Sequence, residues 1–558
     1  MIMEIKNITI VGGGSAGWMT ATTLLNQFPD KQITLVESPN TPNIGVGEST
    51  VAGDQSGFNG ITDWLKLVDI NEFDWMPHCD AIHKLSIRYE NWYREDSGAF
   101  HFPFGEPQHR IPQPDTNNEY VFKLNDWHLK KIYYPETPVS DYGESFFPGL
   151  ALVNQNKSLH PLPGSYDYWP EVQQYAGWSY QFDATKFGIW LRDHYCKARY
   201  PNNFTHIQAE VLGIPQNDDG IKYLILDNAE KLKADLFIDC TGFKSLLLTE
   251  TFDVPFISIE EFIPNNYAWA TKIPYLDPET QIVNYTNCTA IENGWIWEIP
   301  LWSRMGAGYV FSDKFISKDA ALQEFKQGLL HKGYYPVDDL EYHLIPMRCG
   351  LQSKLWVKNA CAIGLSAGFI EPLQSNGLQS IYQFLFNLIT SLSRGHISEW
   401  DRREFTAKCH EDFYSQAYVV ALSYVLSHRD DTEYWRDILN RDYPEEMFAN
   451  TSQGLAQSFH LAYIDKNFRR EFTGGRLHAM ATGMNWNPIY KLNPLLSGQD
   501  IEKTKEWVEI YIQETKKRKE KWNEQIKDFP SPYQYLKDNI HNGEAEQVVS
   551  PTDCKSAV

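Results

Sequence analysis

The sequence predicts an α/β fold: a Rossmann-like module with mixed sheets, carrying a second, mostly helical region. Three observations predict it. The chain opens as strand, glycine turn, helix and strand; two later apolar strands, at 234–242 and 360–369, end in small residues; and after Gly395 the pattern turns helical, charged and rich in Trp and Tyr. Residues 4–11 (EIKNITIV) form the first strand. Trp18 to Phe28 read as a helix with Leu24, Leu25 and Phe28 inward, and Ile33 to Val36 as a second strand ending at Glu37. From about 60 to 175 aromatics, Pro and His alternate with turn signals, which predicts a long insertion of strands and loops. Helical periodicity returns from Phe182 to Ala198, strands follow at 205–211 and 223–226, and a helix runs from Leu378 to Leu392. The basic run KKRKEKW (516–522) reads as a solvated helix end, and residues 530–558 as a mobile tail. The divisions are therefore 1–110 with 175–395 for the Rossmann-like module, and 111–174 with 396–529 for a largely helical cap.

Composition narrows the classes. The 558 residues are 42% hydrophobic and 22% charged, as in ordinary globular chains, so extensive disorder is excluded. A net charge of −22 argues against a nucleic-acid partner or an anionic membrane surface, because neutralising phosphates takes an excess of Lys and Arg. No stretch approaches the apolar length of a membrane span, and the first residues enter a strand without a secretory signal pattern. Eight scattered Cys residues, with no C-x-x-C pair, point to free thiols in a reducing cytoplasm and to no metal site. Aromatic residues make up 14%, enough to supply both a core and a flat apolar pocket. Association as a homo-oligomer is left open by composition.

Gly12-x-Gly14-x-x-Gly17 sits between the first strand and the first helix, and Glu37 follows at the end of the second strand. Such glycines allow a tight turn and close approach of backbone to a pyrophosphate, Ser15 and Ala16 lie in that turn as further cofactor contacts, and the N-terminus of the helix that follows favours an anion. Glu37 can accept a hydrogen bond from a ribose hydroxyl. That spacing does not separate FAD from NAD. The apolar strand ending in Asp239-Cys240-Thr241-Gly242, and Gly364 in AIGLSAGF, are further approaches of backbone to ligand of the kind found in flavoproteins.

These segments, with IGVGEST (44–50), HKLSIRYENW (83–92), FDA (182–184), GWIWEIP (294–300) and GFIEPLQSNG (368–377), resemble the flavin-dependent halogenases of the tryptophan-halogenase family, over the chain to about residue 440. The resemblance implies an FAD-binding module of the GR2 type. It also implies FADH2 supplied by a separate flavin reductase, and O2 and a halide (chloride, bromide or iodide) converted to hypohalous acid that reaches an aromatic substrate through a tunnel. Gly45, Gly47, Glu48, Asp239, Gly242, Gly364 and Gly377 then join the cofactor-binding set. Lys84 aligns with the family's essential lysine, which can polarise the oxidant as an ammonium or form a haloamine as an amine. His83, on the other face of its strand, reads as packing. Ser375, Asn376 and Gly377 are carried over as halide and oxidant contacts at a helix start, and Trp295 and Trp297, on one strand face, as a wall between flavin and substrate.

One position departs from the family pattern: Gln374 stands where Glu is usual, and an amide cannot take up the ring proton. Gln374 then orients the oxidant while water accepts the proton, or another carboxylate substitutes; Glu371 is the less favoured choice. Phe104 matches an aromatic ring that sandwiches the arene, and Phe102 stands where the family has His. The stretch 469–488 lacks the clamp for the amino-acid end of tryptophan, so a small electron-rich arene such as an indole or phenol is expected. The rival readings are a flavin monooxygenase or hydroxylase of the same fold, and a non-catalytic flavin-binding protein.

Overall fold

The computed structural model describes residues 5–40, 47–50, 60–113, 116–160, 171–447, 475–486 and 501–542. Asn7–Val11 lies inside a six-stranded sheet, paired in parallel with Gln32–Glu37 on one side and Leu236–Asp239 on the other. Phe204–Gln208 extends the sheet beyond Gln32–Glu37, and Ala360–Ala362 extends it beyond Leu236–Asp239; only the edge strand Trp356–Val357 runs antiparallel. Strands buried on both faces need continuous apolar runs, and ITIV, LFID and ACA supply them. The first helix is Ser15–Gln27; it packs on this sheet and on the helix Asn376–Leu392.

A seven-stranded mixed sheet forms the second layer. Its order is Tyr342–Pro346, Tyr267–Ile273, Met305–Phe311, Gly294–Pro300, Tyr285–Ile291, Ser86–Glu90 and Ala99–Pro103, antiparallel except between Tyr285–Ile291 and Ser86–Glu90. A small sheet of Glu48–Ser49, Ser179–Phe182 and Ile82–Lys84 adjoins it. Lys84 is the last residue of its strand in that small sheet, and Ser86 begins the next strand, in the larger one. The lysine therefore stands at the junction of two sheets, where both sheets fix its backbone.

A separate apolar cluster, including Trp127, Tyr142, Phe146, Tyr511 and Trp522, joins the segment 122–176 to the helix Ile501–Ile526, whereas the helices Glu399–Val425 and Glu433–Leu439 pack in the main core. Three expectations are corrected there. The 60–175 segment is not only strands and loops: it contains the helices Ile61–Leu67, Leu124–Tyr133, Asp141–Phe146 and Gly149–Asn154. Aromatic and Pro density hid their short apolar faces. The basic run lies inside the helix Ile501–Ile526 and is not simply solvated. Arg518 is buried and donates to the carbonyls of Gln108 and Ser145, and Trp522 is buried beside it. The expected mobile tail is ordered over its first part: Pro532–Leu536 and Lys537–His541 are helical, and Tyr533 and His541 stack on Trp302. Burial of Tyr535, Leu536 and Ile540 anchors this segment, although its sequence shows no period. Residues 543–558 lie outside the described residues.

Seven cysteines are free and buried, and Cys554 lies outside the described residues. Among the described residues no helix is long and apolar enough to cross a membrane.

Candidate active site

At the carboxyl edge of the parallel sheet two cavities, of about 250 and 320 Å³, share Gly14, Cys240 and Gly242. The first is walled by Gly12, Gly13, Glu37, Ser38, Glu210 and Lys244. Glu37 Oε2 is 2.9 Å from His206 Nε2, an interaction that holds the carboxylate on that wall. Ser38, Glu210 and Lys244 were not anticipated, because the fingerprint extends only to the end of the second strand. The second cavity is lined by Ser15, Ala16, Gly47, Phe243, Trp297 and Phe369, with Ser375 and Gly377. Its apolar, aromatic lining suits a flat ring system.

The glycines divide by role. A Cβ on Gly14 or Gly242 would meet nothing within 4 Å, so the two βα turns leave a cradle for a ligand's backbone. A Cβ on Gly12 would lie 2.2 Å from the Cys240 carbonyl oxygen, and one on Gly17 would lie 1.9 Å from that of Gly12; these two serve the packing of strand, turn and helix. No side chain caps the helix Ser15–Gln27, and Ser15 and Ala16 at its start line the second cavity, so the helix begins at the trough. The residues present therefore fit a dinucleotide with an isoalloxazine-sized ring at one end.

Two expected cofactor contacts act at one remove. Asp239 is fully buried and its carboxylate accepts from Thr241 N, Thr241 Oγ1, Leu247 N and Leu248 N; it shapes the turn that presents Gly242 and does not reach the trough. Gly364 is a packing glycine, since a Cβ there would lie 2.6 Å from Ala16 Cβ, and the neighbouring Leu365 lines the cavity. Gly45 and the side chain of Glu48 lie outside the described residues.

Lys84 is fully buried. Its Nζ donates to the Thr50 carbonyl oxygen and to Ser375 Oγ, both at 3.0 Å, and lies 5.3 Å from the centre of the Phe104 ring. Desolvation pushes the ammonium down to about 7. Ser375 thus touches the lysine on one side and borders the ring cavity on the other. Its backbone is left-handed (φ 58°) immediately before the helix Asn376–Leu392, a conformation uncommon for a residue with a side chain and found at functional turns. Asn376 is buried and its Nδ2 has no partner among the described residues.

Gln374 Nε2 donates to the Tyr89 hydroxyl at 2.9 Å, and the Tyr89 ring is stacked on Phe100. Tyr89 is a site neighbour that sequence reasoning missed; its place two residues after Ile87 in HKLSIRYENW was the available signal. Glu371 is fully buried and accepts from Asn265 Nδ2 and Tyr424 OH; desolvation pushes its carboxyl up to about 7. Of the two tryptophans, Trp297 lines the ring cavity, while Trp295 lies behind it against Trp92. Phe104, not Phe102, faces the lysine; Phe102 is buried on the strand Ala99–Pro103, opposite Ile87. His83 does not pack against apolar neighbours alone: its Nε2 meets Glu72 Oε2 at 3.3 Å.

The family model for tryptophan halogenase matches residues 7–489. Tryptophan 6-halogenase SttH of Streptomyces toxytricini is 31% identical over 79% of this chain and 82% of its own. Tryptophan 7-halogenase RebH of Lentzea aerocolonigenes is 29% identical over 78% of each. Among solved structures, apo VirX1 superposes with a TM-score of 0.82 at 31% identity, covering 97% of this chain and 100% of that one. The trough, the buried lysine and this kinship agree, and the chain belongs to the tryptophan halogenase family, as an enzyme of the flavin-dependent halogenase class.

Proposed function

We propose that the enzyme halogenates a small electron-rich arene, an indole or phenol, with hypohalous acid made from O2 and chloride, bromide or iodide, using FADH2 delivered by a separate reductase. The observation that carries this reading is the contact of the buried Lys84 ammonium with Ser375, whose other side borders the ring cavity. Reduced flavin, when bound, supplies the two electrons that convert O2 and halide to the oxidant.

The chain's residues do the rest. Gly14, Gly242 and the N-terminus of Ser15–Gln27 hold the dinucleotide, and Glu37 takes a ribose hydroxyl. Trp297 closes the ring cavity toward the arene, so that only a small oxidant passes. Ser375 and Asn376 Nδ2 donate to the halide or to the oxidant, and Lys84 hands the halogen on, either as an ammonium that hydrogen-bonds the departing oxygen or as an amine. Phe104 stacks the arene beside it. Halogen bonds to ring carbon, the oxygen leaves as water, and the ring proton goes to solvent, since Gln374 cannot accept it and the Glu371 oxygens are occupied by Asn265 and Tyr424.

The test combines protein, FAD, a reductase, NADH, oxygen and bromide with a panel of indoles and phenols, read by mass. A product with the two-isotope bromine pattern supports the reading; an oxygen insertion favours a hydroxylase; no product with any arene overturns both. Lys84→Ala is expected to abolish bromination while flavin still binds. Full activity in that variant refutes the role of the lysine.

A further inference from the structure

A second cluster of chemically capable side chains lies on the opposite face of the lysine's own strand. Glu72, at the start of the helix Glu72–Trp75, His83, on the strand Ile82–Lys84, and His160, beyond the helix Gly149–Asn154, bring one ligand atom each within 4.8 Å of one another. From this geometry we infer that Glu72, His83 and His160 form a binding site for one divalent transition-metal ion of the zinc type, separate from the flavin trough.

The spacing of the three side chains leaves room for an ion between them. His83 Nε2 is 3.3 Å from Glu72 Oε2, and His160 Nε2 is 3.4 Å from Glu72 Oε1. Charge-assisted hydrogen bonds of a carboxylate prefer about 2.7–2.9 Å. Ligand atoms about 2.0–2.1 Å from a tetrahedral zinc are separated by about 3.3–3.4 Å; the two contacts fall on different oxygens of Glu72, so each imidazole faces one oxygen of the carboxylate. Both imidazoles turn the same nitrogen toward the carboxylate, and their rings are crossed at 73° with centroids 5.2 Å apart, so two rings approach one point without stacking. The Tyr180 hydroxyl donates to Glu72 Oε2 at 2.9 Å, the outer-shell bond that orients a ligating carboxylate. Side-chain exposures of 16%, 6% and 13% make the site nearly enclosed, yet a cavity of about 240 Å³ lined by Asn71, Glu72, Trp178 and Tyr180 gives an entry path from its Glu72 side. Two imidazoles and a carboxylate suit zinc, cobalt(II) or a similar ion and leave one coordination position for water. The three ligands come from positions 72, 83 and 160, so the ion would clamp separate segments around the strand that carries Lys84.

The experiment starts from full-length protein stripped by a chelator and dialysed. Titration with Co2+ is expected to give the visible absorption of a four-coordinate ion, saturating at one equivalent, and Zn2+ is expected to displace it and raise the unfolding temperature. His83→Asn and Glu72→Gln are expected to lose both signals. Absence of one-equivalent binding in the unsubstituted protein overturns the inference whether or not the variants fold. Unchanged one-equivalent binding in either folded variant overturns it as well, since the ion would then sit elsewhere on the chain.

Discussion

Glu371→Gln tests the electrostatics around the site with a measurable magnitude. The Glu371 carboxyl has an ordinary value of 4.5 and is pushed up to about 7 by desolvation, against the lowering effect of its bonds with Tyr424 and Asn265. The fold therefore binds a proton that the unfolded chain releases, and stability falls as pH rises between the two values. The stability is fully present below pH 4.5 and lost by about pH 7, at a slope approaching 1.36 kcal/mol per pH unit. Summed over both states, the burden on the native protein is about 1 kcal/mol at pH 5 and about 3 kcal/mol at pH 8. A glutamine carries no such burden. Whatever the substituted amide loses or gains in hydrogen bonding to Asn265 and Tyr424 is the same at both pH values and cancels in the difference. Urea unfolding of both proteins at pH 5 and pH 8 should show the substitution more favourable by about 2–3 kcal/mol at pH 8. An equal change at both values would mean that the carboxyl is not raised in the folded protein, and would refute the account of Glu371 as a buried, neutral structural acid.

Other perturbations separate the roles of neighbouring residues. Gly14→Leu should fold normally and lose flavin binding, because the new side chain enters open space in the trough, whereas Gly17→Ala should destabilise by about 1–3 kcal/mol through its clash with the Gly12 carbonyl. Flavin fluorescence titration and thermal unfolding read the two outcomes. Phe104→Ala should raise KM for the arene several-fold and leave flavin affinity unchanged, since its ring faces Lys84 and does not line the trough. Removing residues 531–558 should cost more than about 3 kcal/mol of stability, because Tyr533, Tyr535, Leu536 and Ile540 lose their buried positions and Trp302 its stacking partners.

What was legible in the sequence was local. A strand, three spaced glycines, a helix and an acidic residue at the next strand end dictate a backbone path over some thirty residues, because each step depends on neighbouring φ and ψ angles and on a period of 2 or 3.6. The halogenase-like motifs were equally contiguous, which is why Lys84, Ser375 and Trp297 could be named before any fold was known. Which residues meet is decided by tertiary structure alone. Lys84 and Ser375 are 291 positions apart, and only the junction of two sheets and a helix start brings them within 3.0 Å. Burial decides the rest: the same assembly lowers the Lys84 ammonium, raises the Glu371 carboxyl, holds Asp239 inside a turn and off the trough, and turns His83 toward Glu72. Desolvation and long-range contact depend on everything that packs around a group, and no spacing along the chain encodes them.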